Sequence, residues 1–162
     1  MTKITFFVPG LPATAGSKTC MNHPVTNVKF YKDSCKRGPQ WRKDVQRCFR
    51  GAYKGAPLEG PVSFNLIFRM PRPKTHYRSG KHTSNILKPN APQYPITKPD
   101  TTKMVRALED ALTTHKKRGV ILWSGAWLDD SQVVTQHNWK LYADEQHPVG
   151  AYVTIRGDGI EE

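Results

Sequence analysis

Apolar residues recur along the chain with two periods, and together they mark six elements. "KITFFV" (Lys3 to Val8) reads as a strand, closed by the Gly/Pro/small-residue loop "PGLPATAGSK". From Gln40 to Tyr53, Trp41, Val45, Cys48, Phe49 and Tyr53 fall at helical intervals with Arg and Lys on the other side. "PVSFNLIFRM" (Pro61 to Met70) alternates Val62, Phe64, Leu66 and Phe68 against smaller or polar neighbours, which predicts a strand. "DTTKMVRALEDALTTHKK" opens a helix at Asp100; Met104, Leu108, Ala111 and Leu112 form its buried stripe, with Lys103, Arg106 and Asp110 on another face. Gln132 to Tyr142 and Ala151 to Gly157 read as strands on either side of the turn "ADEQHPVG". Residues 18–38 and the stretch "RGVILWSGAW" show no clear period and are expected to be a loop and a turn-bearing connection. The order predicts an α/β protein of the α+β kind, a mixed sheet with helices packed on it, in one domain over residues 1–162.

Composition narrows the class. With 37% hydrophobic and 23% charged residues the chain is globular rather than wholly disordered. No apolar run approaches a membrane span, and the N-terminal apolar run is short and broken by proline, so a cytoplasmic protein is expected. Cys20, Cys35 and Cys48 are an odd number, consistent with thiols in a reducing compartment. Twenty-five Lys and Arg against thirteen Asp and Glu give a formal net charge of +12, which points to a polyanionic partner.

Residues 71–99 sharpen that expectation. The stretch is rich in proline, lacks any acidic residue, and carries Arg72, Lys74, Arg78, Lys81, Lys88 and Lys98 with tyrosines between them. Long loops of this kind are functional or disordered, and basic side chains interleaved with aromatics suit a nucleic-acid backbone with exposed bases. The alternative is a solvated insertion. Trp123 and Trp127 pose a similar choice between stacking on an unpaired base and closing a core; core packing is the commoner role.

Against this basic background two acidic positions stand out: Asp100 at the start of the long helix, and the pair Asp129–Asp130 in "WLDDSQVV" at a strand entry. Asp is a common helix N-cap and a common turn residue, so both have purely structural readings. If the fold brings them together, the chemistry is specific. Phosphodiester hydrolysis needs an activated water, neutralisation of charge at phosphorus and help for the leaving oxygen, and magnesium held by a few carboxylates supplies these.

"KPDTTKMVRALEDAL" followed by "WLDDSQVV" resembles the RusA family of Holliday junction resolvases, often carried by phages and prophages. The family pattern is an Asp-x-Asp-Asn-Leu-x-Lys helix start, an Asp-Ala-Leu at the helix end and a Trp-x-Asp-Asp-x-Gln-Val strand entry. The likeness is specific over Lys98 to Val134 and weak elsewhere. It implies a homodimeric, magnesium-dependent endodeoxyribonuclease that cuts four-way DNA junctions with symmetric nicks, with Mn2+ able to substitute and no small-molecule cofactor or membrane partner. If the chain is phage-encoded, the bacterial host cytoplasm is where it acts.

Carried over by position, the first helix aspartate falls on Asp100 and the strand-entry metal aspartate on Asp130, with Asp129 beside it. The helix lysine falls on Arg106, and the second helix aspartate falls on Thr102, a neutral and weaker ligand. The resemblance thus implies Asp100 and Asp130 as metal ligands, Asp129 or Thr102 completing the shell, and Arg106 with Lys103 stabilising the transition-state charge. An Arg106–Asp110 pair at four-residue spacing would orient the guanidinium. Two alternatives remain open: a junction- or DNA-binding protein without catalysis, and a less selective branched-DNA nuclease.

Overall fold

The computed structural model describes residues 2–81 and 84–157. Its centre is a four-stranded sheet in the order β1-β8-β4-β7, made of β1 (Thr2–Pro9), β4 (Val62–Met70), β7 (Val133–Tyr142) and β8 (Gly150–Gly157). β8 runs antiparallel to β1 and β4, whereas β4 and β7 are parallel, so the sheet is mixed. A parallel pair cannot be joined by a tight turn. The connection carries α2 (Thr101–Leu112), which lies with α1 (Gly38–Ala52) on one face of the sheet. The α+β arrangement expected from the element order is the one observed.

Alternation drives this layering. Ile4, Phe6 and Val8 of β1, Val62, Phe64, Leu66, Phe68 and Met70 of β4, and Ala151, Val153 and Ile155 of β8 all point to the helix side and are buried. They meet Trp41, Val45 and Phe49 of α1 and Met104, Leu108, Ala111 and Leu112 of α2 in one hydrophobic cluster. On the other face, Phe7 pairs with Tyr152, Tyr152 with Ile67, and Ile67 with Trp139, an apolar row across all four strands. No helix among the described residues covers that row, and Trp139 is exposed. No helix among the described residues is long and apolar enough to cross a membrane.

Three segments depart from the sequence expectation. The stretch 18–38 is not a loop throughout: β2 (Lys18–Asn22) and β3 (Lys29–Asp33) form an antiparallel hairpin separate from the main sheet. Every β2 residue is exposed, so no buried side existed for an apolar alternation to mark. The connection before Trp127 likewise contains β5 (His115–Lys117) and β6 (Val120–Trp123). Arg118 and Gly119 join them with φ of 50° and 80°, the doubly positive signature of a tight hairpin turn. Arginine seldom takes that conformation, which hid the turn.

The stretch 71–99 is also ordered in part, with a 3-10 turn at Lys74–His76 and a bridge between Tyr77 and Leu87. Arg72 holds it down: its guanidinium lies 3.9 Å from the Tyr142 ring centroid and donates to the Pro92 carbonyl at 2.9 Å. Residues 82 and 83 of this stretch lie outside the described residues.

The tightest backbone approach is at Gly125. The Ala126 N–H donates to the Leu112 carbonyl at 2.7 Å, capping the end of α2, and a Cβ on Gly125 would lie 1.9 Å from that same carbonyl oxygen. Gly125→Ala is expected to cost at least about 1–3 kcal/mol, the usual range for overpacking. Urea unfolding of the two proteins measures it, and an unchanged midpoint would show that the segment can move aside.

Candidate active site

The clamp at Gly125 decides where the strand-entry aspartates go. Thr114 donates its N–H (3.0 Å) and its hydroxyl (2.7 Å) to the Trp127 carbonyl, and the Trp127 indole N–H donates to the Thr113 hydroxyl at 2.9 Å. Trp127 is fully buried and meets Phe64 edge-on, so it closes the core. Trp123 is half-buried beneath the Arg50 guanidinium, 4.9 Å from its ring centroid. With Trp127 fixed against the last turn of α2, the next residues emerge beside that end of the helix.

Asp129 and Asp130 then take different roles. Asp129 caps a 3-10 turn at Asp130–Gln132: its carboxylate accepts the Ser131 N–H at 3.0 Å, while the Gln132 side-chain oxygen accepts the N–H groups of Leu128 and Asp129. Bonds from Ser131, side chain first and then backbone, hold the Asp129 carboxyl below the usual range. The turn chemistry thus belongs to Asp129. Asp130 instead lies close enough to Glu109 of α2 to raise its proton affinity.

Glu109 was not singled out in the sequence, where it reads as one more charge on an amphipathic helix. Burial first, then the negative charges of Asp130 and Asp110, push its carboxyl above 4.5, and Arg106 opposes them. Gln136 of β7 donates to Glu109 Oε1 at 3.3 Å. Arg106 makes no ion pair with Asp110 among the described residues; its side chain reaches Gly16 in the loop after β1, where a Cβ would meet it at 3.7 Å. Thr102, Arg106 and Glu109 share one stripe of α2 by their spacing, so Thr102 lies on the side of the acidic pair but near the far end.

Asp100 marks that far end, about 13 Å from Glu109 along the helix at 1.5 Å per residue. It occupies the N-cap position without making a side-chain cap bond, so the structural reading of this residue is not the one realised. Its carboxylate lies 3.5 Å from Lys103 Nζ, which also donates to the Ser17 hydroxyl at 3.0 Å. Lys140 of β7 donates to the Thr97 and Pro99 carbonyls and ties down the approach to Asp100. Around Asp100 opens a cleft of about 450 Å3 whose walls include Ser17, Ser34, Cys35, Arg37, Lys98 and Lys103. Burial alone would raise the Cys35 thiol, but hydrogen bonds from Thr14, Arg37 and Gly38 outweigh it and the net shift is downward.

Within one chain, then, Asp130 and Asp100 stand at opposite ends of α2, with Lys103 and Arg106 between them. Among the described residues no three His, Cys, Asp or Glu side chains form a metal cage. Magnesium does not require one: it is commonly held by one or two carboxylates, with waters and substrate phosphate filling the other positions. Glu109 and Asp130 offer only hard oxygen donors near the same end of α2, a donor set that suits such an ion. Of the loop cations, Lys74, Arg78, Lys81, Lys88 and Lys98 are exposed, and Lys98 lines the Asp100 cleft. Arg72 is engaged by Tyr142 and Pro92 instead.

The sequence model of Endodeoxyribonuclease RusA matches residues 12–156, nearly the whole chain. The chain belongs to the RusA family. It is an enzyme of the Holliday junction resolvase type, one that hydrolyses phosphodiester bonds within DNA. No curated protein matches it.

The raised proton affinity of Glu109 has a sign that can be checked. The folded state holds this proton more tightly than the unfolded state, so ionising Glu109 destabilises the metal-free fold. The penalty is complete above the raised value and absent below 4.5. Glu109→Gln should therefore raise the thermal midpoint at pH 7 in EDTA, with the gain closing as pH falls toward 4.5. Equal midpoints at pH 7 would mean that Arg106 already cancels the repulsion.

Proposed function

We propose that this chain is a divalent-metal-dependent, structure-specific endodeoxyribonuclease that nicks four-way junctions symmetrically as a homodimer. The observation that carries the reading is the placement of Glu109, half-buried on the α2 face that bears Arg106 and held by Gln136, near the strand entry that bears Asp130. In a chain of net charge +12, carboxylates crowded together oppose the approach of DNA unless a cation sits between them. Asp130 and Glu109 would hold that cation, which supplies an activated water and neutralises charge on the phosphate when bound.

The other residues follow from their places. Arg106 and Lys103, on the exposed face between the two acidic ends, stabilise the negative charge that builds on the phosphoryl oxygens. Asp100, with no cap bond to make, presents a further carboxylate to the same strand of DNA. Thr102 adds a neutral hydroxyl on the Arg106 side, and Asp129 sets the direction of Asp130 through its cap. Lys74, Arg78, Lys81, Lys88 and Lys98 hold phosphates that flank the cut, while Arg72 braces the loop that carries them. A junction has near two-fold symmetry, and two copies would set two sites on equivalent strands. The uncovered row of Phe7, Tyr152, Ile67 and Trp139 offers the apolar surface on which copies can pair.

Cleavage of a labelled four-way junction beside a matched linear duplex tests the reading. Wild type is expected to nick the junction at paired positions only with magnesium or manganese. Asp130→Asn and Glu109→Gln should bind it but cut about a thousandfold more slowly, the effect of losing several kcal/mol of metal-based stabilisation. Loss of cutting in Asp100→Asn with full activity in Glu109→Gln would move the cation to the other end of α2. Binding without cutting by wild type would sink the catalytic reading altogether.

A further inference from the structure

We propose that the β2–β3 hairpin is an arm that grips a duplex segment of the DNA substrate beside the Asp100 cleft. The proposal rests on DNA as the substrate, and on neither the metal nor the junction assignment. The hairpin pairs only with itself, and all of β2 and Lys29 to Lys32 of β3 are exposed. An isolated two-stranded hairpin is marginally stable in water at best, yet this one is ordered at both ends. At its base the Ser34 N–H donates to the Ser17 carbonyl at 2.8 Å, and Thr19 and Ser34 hydroxyls meet at 3.0 Å. At its tip the His23 ring nitrogen accepts from the N–H groups of Val25 and Thr26.

Its charge and its root give the arm a direction. Residues 17–37 contain Lys18, Lys29, Lys32, Lys36 and Arg37 against a single acidic residue, Asp33. The register puts Lys18 and Lys29 on one face of the ribbon, with Cys20 and Tyr31 opposite each other between them and Asp33 at the position across from Lys18. The two lysines stand about 13 Å apart at 3.4 Å per residue, a spacing that reaches separate phosphates. A two-stranded ribbon fits the major groove, which is about 12 Å wide. Both ends of the arm open into the cleft: Ser17 precedes β2, and Ser34, Cys35 and Arg37 follow β3, all lining the wall around Asp100. DNA held along the ribbon is thereby delivered to the helix that carries Asp100, Lys103 and Arg106.

The test separates binding from cutting. Junction and linear-duplex affinities are measured in EDTA over a range of salt, comparing Asp130→Asn with the same protein carrying Lys18→Ala and Lys29→Ala. Loss of two phosphate contacts should make the plot of log affinity against log salt shallower by about 1.8. The thermal midpoint should not move, because both lysines are exposed. Bound DNA should also slow alkylation of Cys20, read by mass spectrometry of its peptide. An unchanged slope with Cys20 unprotected would overturn the proposal. So would a shift in oligomeric state with DNA affinity intact, which would make the ribbon a contact between copies. Failure of the wild type to cut with metal would remove the catalytic reading and leave the salt slope to decide the arm.

Discussion

The close approach of Gly125 to the Leu112 carbonyl is the constraint on which the rest of the site depends. It lets the backbone of residues 125–127 run against the end of α2 and satisfy the Leu112 carbonyl that the helix leaves unpaired. Trp127 then fills the core under Phe64, and β7 starts beside the helix end rather than beside its beginning. A parallel β4–β7 pair with a helical crossover fixes this antiparallel run of α2 against β7. The bonds from Gln136 to Glu109 at one end and from Lys140 to the Pro99 carbonyl at the other hold strand and helix in step. Lys103, Arg106 and Glu109 thus ride on a rigid helix, while Asp100 and Asp130 stand on the segments that flank it and β7.

Electrostatics along α2 follows a simple order: an acidic residue at the N-cap, two cations in the middle, and a crowd of carboxylates near the C-terminus. The helix dipole disfavours negative charge at that C-terminal end, which adds to the repulsion that Glu109 already meets. Asp100 sits where the dipole favours a carboxylate, whereas stability alone would put cations rather than carboxylates at the C-terminal end. The hydrophobic layer beneath, from Met104 to Leu112, keeps the helix in position despite that unfavourable charge.

How far the sequence could be read depended on burial. Elements with one buried face, such as β1, β4 and α2, announced themselves because alternation and helical spacing record which side meets the core. β2 and β3 left no such record, since every β2 residue and Lys29 to Lys32 of β3 are exposed, and the Arg118–Gly119 turn lacked the usual residue signals. "WLDDSQVV" marked a turn at a strand entry but could not say which aspartate serves as its cap, because both choices suit a turn. The partnership of Asp130 with Glu109 was illegible for a different reason: it depends on where residues 125–127 dock, which no local pattern encodes. Separation of Asp100 from Asp130 follows from the same docking.

Gln132 gives the strand entry a property of its own. Its side-chain oxygen accepts two backbone N–H groups, from Leu128 and Asp129, while its nitrogen donates to the carbonyls of Leu58 and Gly60, each at 3.0 Å. One amide therefore uses both ends at once, stitching the turn to the segment that leads into β4. Glutamate has the same shape but no hydrogens to give, and lysine has no oxygen to receive them. The glutamine is thus the hinge pin of the sequence "WLDDSQVV": its neutrality keeps another negative charge away from Asp130, and its two-sided bonding fixes the turn on which Asp130 sits.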